Sequence, residues 1–257
     1  MADMDDLRAR IDDLDRQLID VIGQRLEVCA EIAERKERTD TPVIQPSRVR
    51  DVVTSRRARA IQAGIDPDFI EQLFRVLLTE THRIEVAGKR PDPAPEKHAA
   101  SGVSALDTVA SRIDHLVIAV EDADAVADTL CDRLGFHRRA VTATPAVVAV
   151  GAGGVELILV GRGASAAVDA ALDLHGPGVR NVTIEVLNAG YAHASVAALG
   201  ATIATDVLVD AHGHEQFFVT DDRSLGVSLG FLSRTGHRVG IGIEQVLAMF
   251  AATEPSG

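Results

Sequence analysis

The chain has 257 residues, 46% of them apolar, only 3% aromatic and none of them Trp. That supplies core for one large or two ordinary domains, while the net charge of −12 argues against nucleic acid as a general partner. No run of about 18 apolar residues predicts a membrane span, and the acidic N-terminus shows no charged-then-apolar leader. Cys29 and Cys131 are isolated thiols with neither a disulfide nor a metal pattern, so the expected compartment is a reducing cytoplasm.

The first predicted element runs from about Met4 to Arg38, a helix of ~50 Å at 1.5 Å per residue. Its apolar residues recur at helical spacing: Leu7, Ile11, Leu14, Leu18, Val21, Val28 and Ile32. Arg25 interrupts this stripe and Lys36 follows one turn after Ile32. Eleven residues of separation leave the two cations about 20° apart after three turns, so they project from nearly one line. Buried unpaired charge is costly, so an anionic partner is expected there. Pro46-Ser47 opens a second predicted helix that ends at Gly64, and Asp66-Pro67 opens a third with Ile70, Phe74, Leu77, Thr81 and Glu85 on one face. Two shorter helices cannot cover the long stripe, which predicts an intertwined homodimer packed through the first helix. Arg8 lies about 100° from the line of Arg25, so it is expected to reach the site of a partner chain.

Residues 91–111, rich in Pro, Ala and Ser, are expected to be a linker. It separates a near-neutral segment (residues 1–90, 16 Lys+Arg against 18 Asp+Glu) from an acidic one (residues 91–257, 10 against 20). Beyond it, short β-branched runs alternate with one helix twice over: Ile113 to Val120, Ala123 to Leu134 and two further strands, then Val179 to Leu187, Ala189 to Leu199 and three more. The repeat is visible as DHLVIAV opposite RNVTIEV and GVEL opposite GVSL. The expected division is thus 1–90 helical, 91–111 linker, 112–234 paired βαβββ modules, and 235–257 a short apolar helix near Ile243–Phe250 and a disordered tail. The fold class is α+β multidomain.

Three stretches carry a resemblance over residues 5–88: LRARIDDLDRQLIDVIGQRLEVCAEIAERK, then P-x-x-x-P-x-R-V, then LFRVLLTETHRIE. They are similar to the all-helical (type II) chorismate mutases, isomerases that convert chorismate to prephenate by a Claisen rearrangement in aromatic amino acid or specialised-metabolite biosynthesis. The resemblance implies that Arg25 and Arg48 hold the carboxylates of a small dicarboxylate, that Arg8 arrives from the partner, and that Lys36 and Glu85 flank the breaking ether oxygen. Glu85 can help there only as a neutral donor. Gln45, Val49 and Thr81 are the further expected substrate contacts, and no cofactor is implied. Many members have Gln where this chain has Glu85, an acid at Gln45 and a carboxylate at Val49. IQPSRV with ETHRIE looks more like the branch that includes 4-amino-4-deoxychorismate mutases, and the apolar Val49 resembles isochorismate-pyruvate lyases, so both substrates stay open beside chorismate.

RIDHLVIAVEDADAVADTLCDRLGF and HGPGVRNVTIEV, within 112–234, resemble the vicinal-oxygen-chelate superfamily and the N-terminal half of 4-hydroxyphenylpyruvate dioxygenases. In metal-binding relatives the ligand places would fall on His115, Glu156, Asn181 and Ser228, of which only His115 and Glu156 are good ligands. The resemblance thus implies a scaffold or ligand-sensing module, with a metal-dependent dioxygenase as the competing reading. His212 and His214 form an H-x-H on an expected hairpin, where histidines are usually solvated, and Asp221-Asp222 is a turn signal.

Overall fold

The computed structural model of the chain describes residues 3–39, 41, 45–86, 106, 109–140, 144–211, 213–220, 225–234 and 242–253. Most of the expected linker, His212, Asp221-Asp222 and the expected C-terminal tail lie outside these residues.

Helix α1 spans Met4–Arg38. Asp3 caps it reciprocally with Asp6, Asp5 and Asp6 occupy the first turn, and Arg35, Lys36 and Arg38 the last, matching charge to the helix dipole at both ends. Helix α2, Pro46–Ala63, starts on proline and stops where Gly64 turns left-handed at φ 70°. Helix α3, Pro67–Val86, is capped by Asp66, whose Oδ1 accepts from the backbone N–H groups of Asp68 (2.7 Å) and Phe69 (3.2 Å). Arg57 on α2 fastens the start of α3 by donating to Asp68 Oδ1 (2.7 Å) and Glu71 Oε2 (2.6 Å). Both α1 and α2 pack against α3.

The second part is one eight-stranded sheet in the order β2-β3-β4-β1-β5-β8-β7-β6. Its strands are β1 Ala110–Val120, β2 His137–Arg138, β3 Val147–Ala152, β4 Val155–Gly161, β5 Gly178–Val186, β6 Leu208–Val209, β7 Glu215–Val219 and β8 Ser228–Ser233. Helix α4, Ala123–Leu134, follows β1, and α6, Ala189–Ala198, follows β5. The sequence repeat is a structural one. In the first half β1 pairs parallel with β4, Leu116 opposite Leu157; in the second β5 pairs parallel with β8, Val182 opposite Leu229. These are equivalent positions of the two repeats, so both modules keep one register. They meet through the antiparallel β1–β5 pair, whose register shifts three times.

Helix α5, Ala166–His175, was not anticipated from the sequence; Ser165 caps it by accepting from Val168 N at 3.3 Å. It joins α7, Ile243–Thr253, against the same sheet face, where Val168, Leu172, Met249 and Phe250 bury Val117, Ile158 and Phe218. One of the second module's three expected strands shrinks in the structure: the run near 202–209 holds only a bridge at Ile203 and the two residues of β6.

The two parts touch. Arg75 Nη1 on α3 donates to the carbonyl of Ala110 at 3.0 Å, and Val49 and Leu78 pack on the cluster containing Val186, Leu187, Ala189 and Tyr191.

Candidate functional site

Arg25 and Lys36 lie on the face of α1 that meets α3, and each finds a partner there. Arg25 Nη1 donates to Thr81 Oγ1 at 2.7 Å, while the Thr81 hydroxyl donates to the carbonyl of Leu77 at 2.8 Å. Thr81 is therefore locked by its own helix and in turn aims the guanidinium. Lys36 Nζ donates to Glu85 Oε2 at 2.7 Å, with side chains only 17% and 9% exposed. Arg25, Lys36, Glu85 and Thr81 line one cavity of about 510 Å³ with Arg48, Gln45 and Val49 from the start of α2. Seven residues expected from the sequence thus share one cavity. Arg48 is exposed at its edge, as its place in the first turn of α2 dictates.

Arg8 is not among them. It is 17 residues before Arg25 on a continuous helix, about 25 Å away along the axis. Its guanidinium sits in solvent, 71% exposed, 3.2 Å from Asp5 Oδ1. Within one chain it cannot reach the cavity.

Arg56, Cys29, Leu78, His82 and Leu187 line the cavity without having been expected there. Arg56 stacks over the Phe74 ring, 5.6 Å from its centroid. Cys29 Sγ sits 3.7 Å from Thr81 Oγ1. His82 is buried with no hydrogen-bond partner for Nε2 among the described residues. Burial, aided by the nearby Lys36 ammonium, pushes its imidazole pKa down to about 3. The one sequence signal for His82 is its position one turn after Leu78 and three residues before Glu85, on the cavity face of α3.

This burial carries a pH consequence. The unfolded imidazole takes a proton near pH 6.5, whereas the folded one stays neutral down to about 3. The stabilisation is complete above about pH 6.5 and is lost as pH falls. Between pH 7 and 5 the loss is about 2 kcal/mol. Denaturant melts at both pH values should show the wild-type chain losing about 2 kcal/mol more than His82→Gln; equal losses would mean that His82 titrates normally.

In the second part, three of the four places that the resemblance aligns with metal ligands, His115, Asn181 and Ser228, make hydrogen bonds within the domain. Asn181 Nδ2 donates to Ser228 Oγ at 2.9 Å, so these two are engaged with each other. His115 is buried and its Nδ1 pairs with Asp114 Oδ1 at 2.8 Å. Asp114 also receives both arms of the buried Arg234 guanidinium, Nε to Oδ2 at 2.8 Å and Nη2 to Oδ1 at 2.7 Å. Burial alone would raise the Asp114 pKa; the hydrogen bonds from His115 and Arg234 outweigh it and hold the carboxyl well below the usual range. Arg234 in turn feels the charge of Glu185 and Glu156. An internal guanidinium thus supplies the positive charge beside Glu156 and His115. Among the described residues no group of three His, Cys, Asp or Glu side chains is placed to hold a metal ion. His214 corrects an expectation. It is a buried residue rather than a solvated turn histidine, because Asp210 accepts from its backbone N–H at 2.9 Å and pairs with Nδ1 at 3.0 Å.

Residues 7–86 match the family model described as chorismate mutase type II, and residues 112–229 the one described as the glyoxalase/bleomycin resistance protein/dioxygenase superfamily. A protein of Streptomyces pristinaespiralis named 4-amino-4-deoxychorismate mutase is 36% identical over 107 residues, 40% of this chain and 83% of that protein. One of the same name from Streptomyces venezuelae is 40% identical over 80 residues, 31% of this chain and 77% of that protein. The T-protein of Enterobacter agglomerans is 36% identical over 85 residues, which are 33% of this chain and only 23% of the T-protein. A solved structure of Streptomyces coelicolor methylmalonyl-CoA epimerase matches 47% of this chain and 95% of its own at 21% identity, with a TM-score of 0.41. The cations that interrupt the α1 stripe fall inside the matched helical segment, and the chain belongs to the type II chorismate mutase family, with a domain of the glyoxalase/bleomycin resistance protein/dioxygenase superfamily following in the same chain.

Proposed function

We propose that the helical part, residues 1–90, is a chorismate mutase that rearranges chorismate to prephenate in a homodimer, and that residues 112–234 form a domain without metal catalysis of its own. The observation that carries this is the single cavity in which Arg25, Lys36, Arg48 and Glu85 converge.

A Claisen rearrangement is pericyclic. It needs neither a nucleophile nor a proton transfer, only a flexible dianion held in its reactive chair and stabilisation of the partial negative charge on the departing ether oxygen. Two guanidinium forks suit two carboxylates, because each presents a planar pair of donors. Thr81 fixes the direction of Arg25 before substrate arrives, so less ordering is left for binding. Lys36 is the point charge for the ether oxygen. The bond to Glu85 holds the ammonium at this end of the cavity. Neutral His82 adds no competing charge to this end of the cavity.

The exposed stripe of α1 supports the homodimer. Leu7, Ile11, Leu14, Leu18, Val21, Val28 and Ile32 are all at least 41% exposed in the single chain. A continuous apolar stripe of this length on a soluble helix calls for a covering surface. A second α1 is the covering surface whose pattern matches, and it would carry Arg8 to the neighbouring cavity.

Val49 and Gln45 replace the acids that many relatives have, and two relatives bear the name 4-amino-4-deoxychorismate mutase, which favours a second reading with that amine as substrate. Separate incubation of the purified full chain with chorismate, 4-amino-4-deoxychorismate and isochorismate, with products identified by NMR and mass spectrometry, distinguishes them. The expected product is prephenate from chorismate. Preferred turnover of the amine would select the second reading. Pyruvate release from isochorismate would mean a lyase, and no turnover of any would reject the family activity for this chain.

A further inference from the structure

Among the described residues that line the cavity, one comes from outside the helical part of the chain. Leu187 belongs to the sheet domain, at the turn between β5 and α6, yet it lines the same cavity as Arg25 and Lys36. Its position is fixed from three sides. Its N–H donates to the carbonyl of Val109 at 2.9 Å, and its own carbonyl accepts from Ser233 Oγ at 3.1 Å. The next residue, Asn188, caps α6 by accepting from Tyr191 N at 2.7 Å. Leu187 thus joins β5 to α6 within the buried cluster on which Val49 and Leu78 pack, and all three line the cavity. It is 6% exposed, which marks it as packed.

Val49, Leu78 and Leu187 form an apolar corner of a cavity that is lined also by Val28, Ile32 and Val52 and by the cations Arg25, Lys36, Arg48 and Arg56. Such a corner accepts the uncharged face of a carbocycle and disfavours a charged substituent, because a charge placed there loses hydration without gaining a partner. We infer that Leu187 is a specificity-determining residue, by which the sheet domain completes the substrate cavity of the helical domain and selects a dicarboxylate whose ring carries no cationic group. The inference rests on the mutase reading above. It gives the second domain a role that does not need a ligand of its own.

Kinetics of the full chain on chorismate and on 4-amino-4-deoxychorismate test it, with Leu187→Ala, Leu187→Met and Leu187→Asp beside the wild type. Leu187→Ala should raise KM for chorismate about tenfold, since a pocket that loses methylenes loses discrimination of about that size, while kcat stays within about threefold. Leu187→Met keeps the volume and should restore the wild-type constants. Leu187→Asp sets a carboxylate in the corner. It should shift the ratio of kcat/KM toward the amine by about tenfold or more, because only that substrate offers an opposite charge. A purely structural role would not move that ratio. Constants within twofold of wild type for both Ala and Asp variants, in a chain that turns over chorismate, would overturn the inference. So would parallel loss of melting temperature and activity in the Ala and Met variants. A wild-type chain inactive on both substrates would overturn the mutase reading first, and the inference with it.

Discussion

Replacing Arg25 by alanine is expected to lower kcat/KM by about 10³-fold while leaving far-UV helicity intact. The guanidinium contacts α3 through Thr81, and Thr81 keeps its bond to the Leu77 carbonyl when Arg25 is gone. No buried group is therefore left unpaired, and the fold has little reason to respond. The substrate, by contrast, loses a two-point grip on a carboxylate in a cavity of about 510 Å³, where charge interactions are stronger than in water. Lys36→Ala should have a similar effect on turnover but a different effect on the protein. It removes the ammonium from Glu85, which is 8% exposed, and a buried carboxylate without its ion-pair partner costs about 3–5 kcal/mol. The double variant Lys36→Ala/Glu85→Gln should recover much of that stability and none of the activity. Steady-state kinetics with urea melts on the three variants separates the roles. If Arg25→Ala unfolds the chain, or if the double variant regains turnover, the cations are structural rather than catalytic.

The second large effect concerns α1. Leu14 and Leu18 are 61% and 52% exposed in the single chain and stand in the middle of the apolar stripe. Changing both to Asp places two charges on one seam, a cost that a packed interface cannot absorb. Light scattering should fall from about 54 kDa, twice the 27.2 kDa chain, to the monomer mass. Activity should fall by about 10²-fold or more, because the partner's Arg8 is withdrawn from each cavity. A variant that stays dimeric would place the interface elsewhere. A fully active monomer would remove Arg8 from the site.

Much of this site was legible in the linear chain, and for a local reason. Arg25 and Lys36 stand out because helical periodicity is a short-range property: a charge on an apolar stripe declares itself within two turns. The ends of α1 and α3 follow from Asp3 and Asp66, whose side chains bond backbone groups only one to three residues away. The internal repeat was legible because equal registers demand equal patterns. What could not be read were partnerships across the chain. Leu187 is the apolar residue after a strand in the sequence, and only the docking of β5 and α6 against α2 and α3 makes it a cavity wall. Arg234 lies 120 residues from Asp114, yet their two hydrogen bonds lock the region around His115. His82 reads as an ordinary helix residue until α1 brings Lys36 beside it. Helix α5 went unseen because its pattern, AAVDAALDLH, is short and bounded by glycines that suggest a loop.

The central proposal is a catalytic cavity shared by two chains, with Arg25, Lys36 and Arg48 from one and Arg8 from its partner. The measurement that tests it most directly is subunit complementation on chorismate. Arg8→Ala and Arg25→Ala proteins, each nearly inactive alone, are unfolded, mixed in equal amounts and refolded together. Random pairing makes half of the dimers mixed, and each mixed dimer carries one cavity with every cation intact, so about a quarter of the wild-type activity should return. If the mixture refolds to dimers and stays as inactive as its components, Arg8 and Arg25 do not meet across a subunit interface, and the two-chain cavity is wrong.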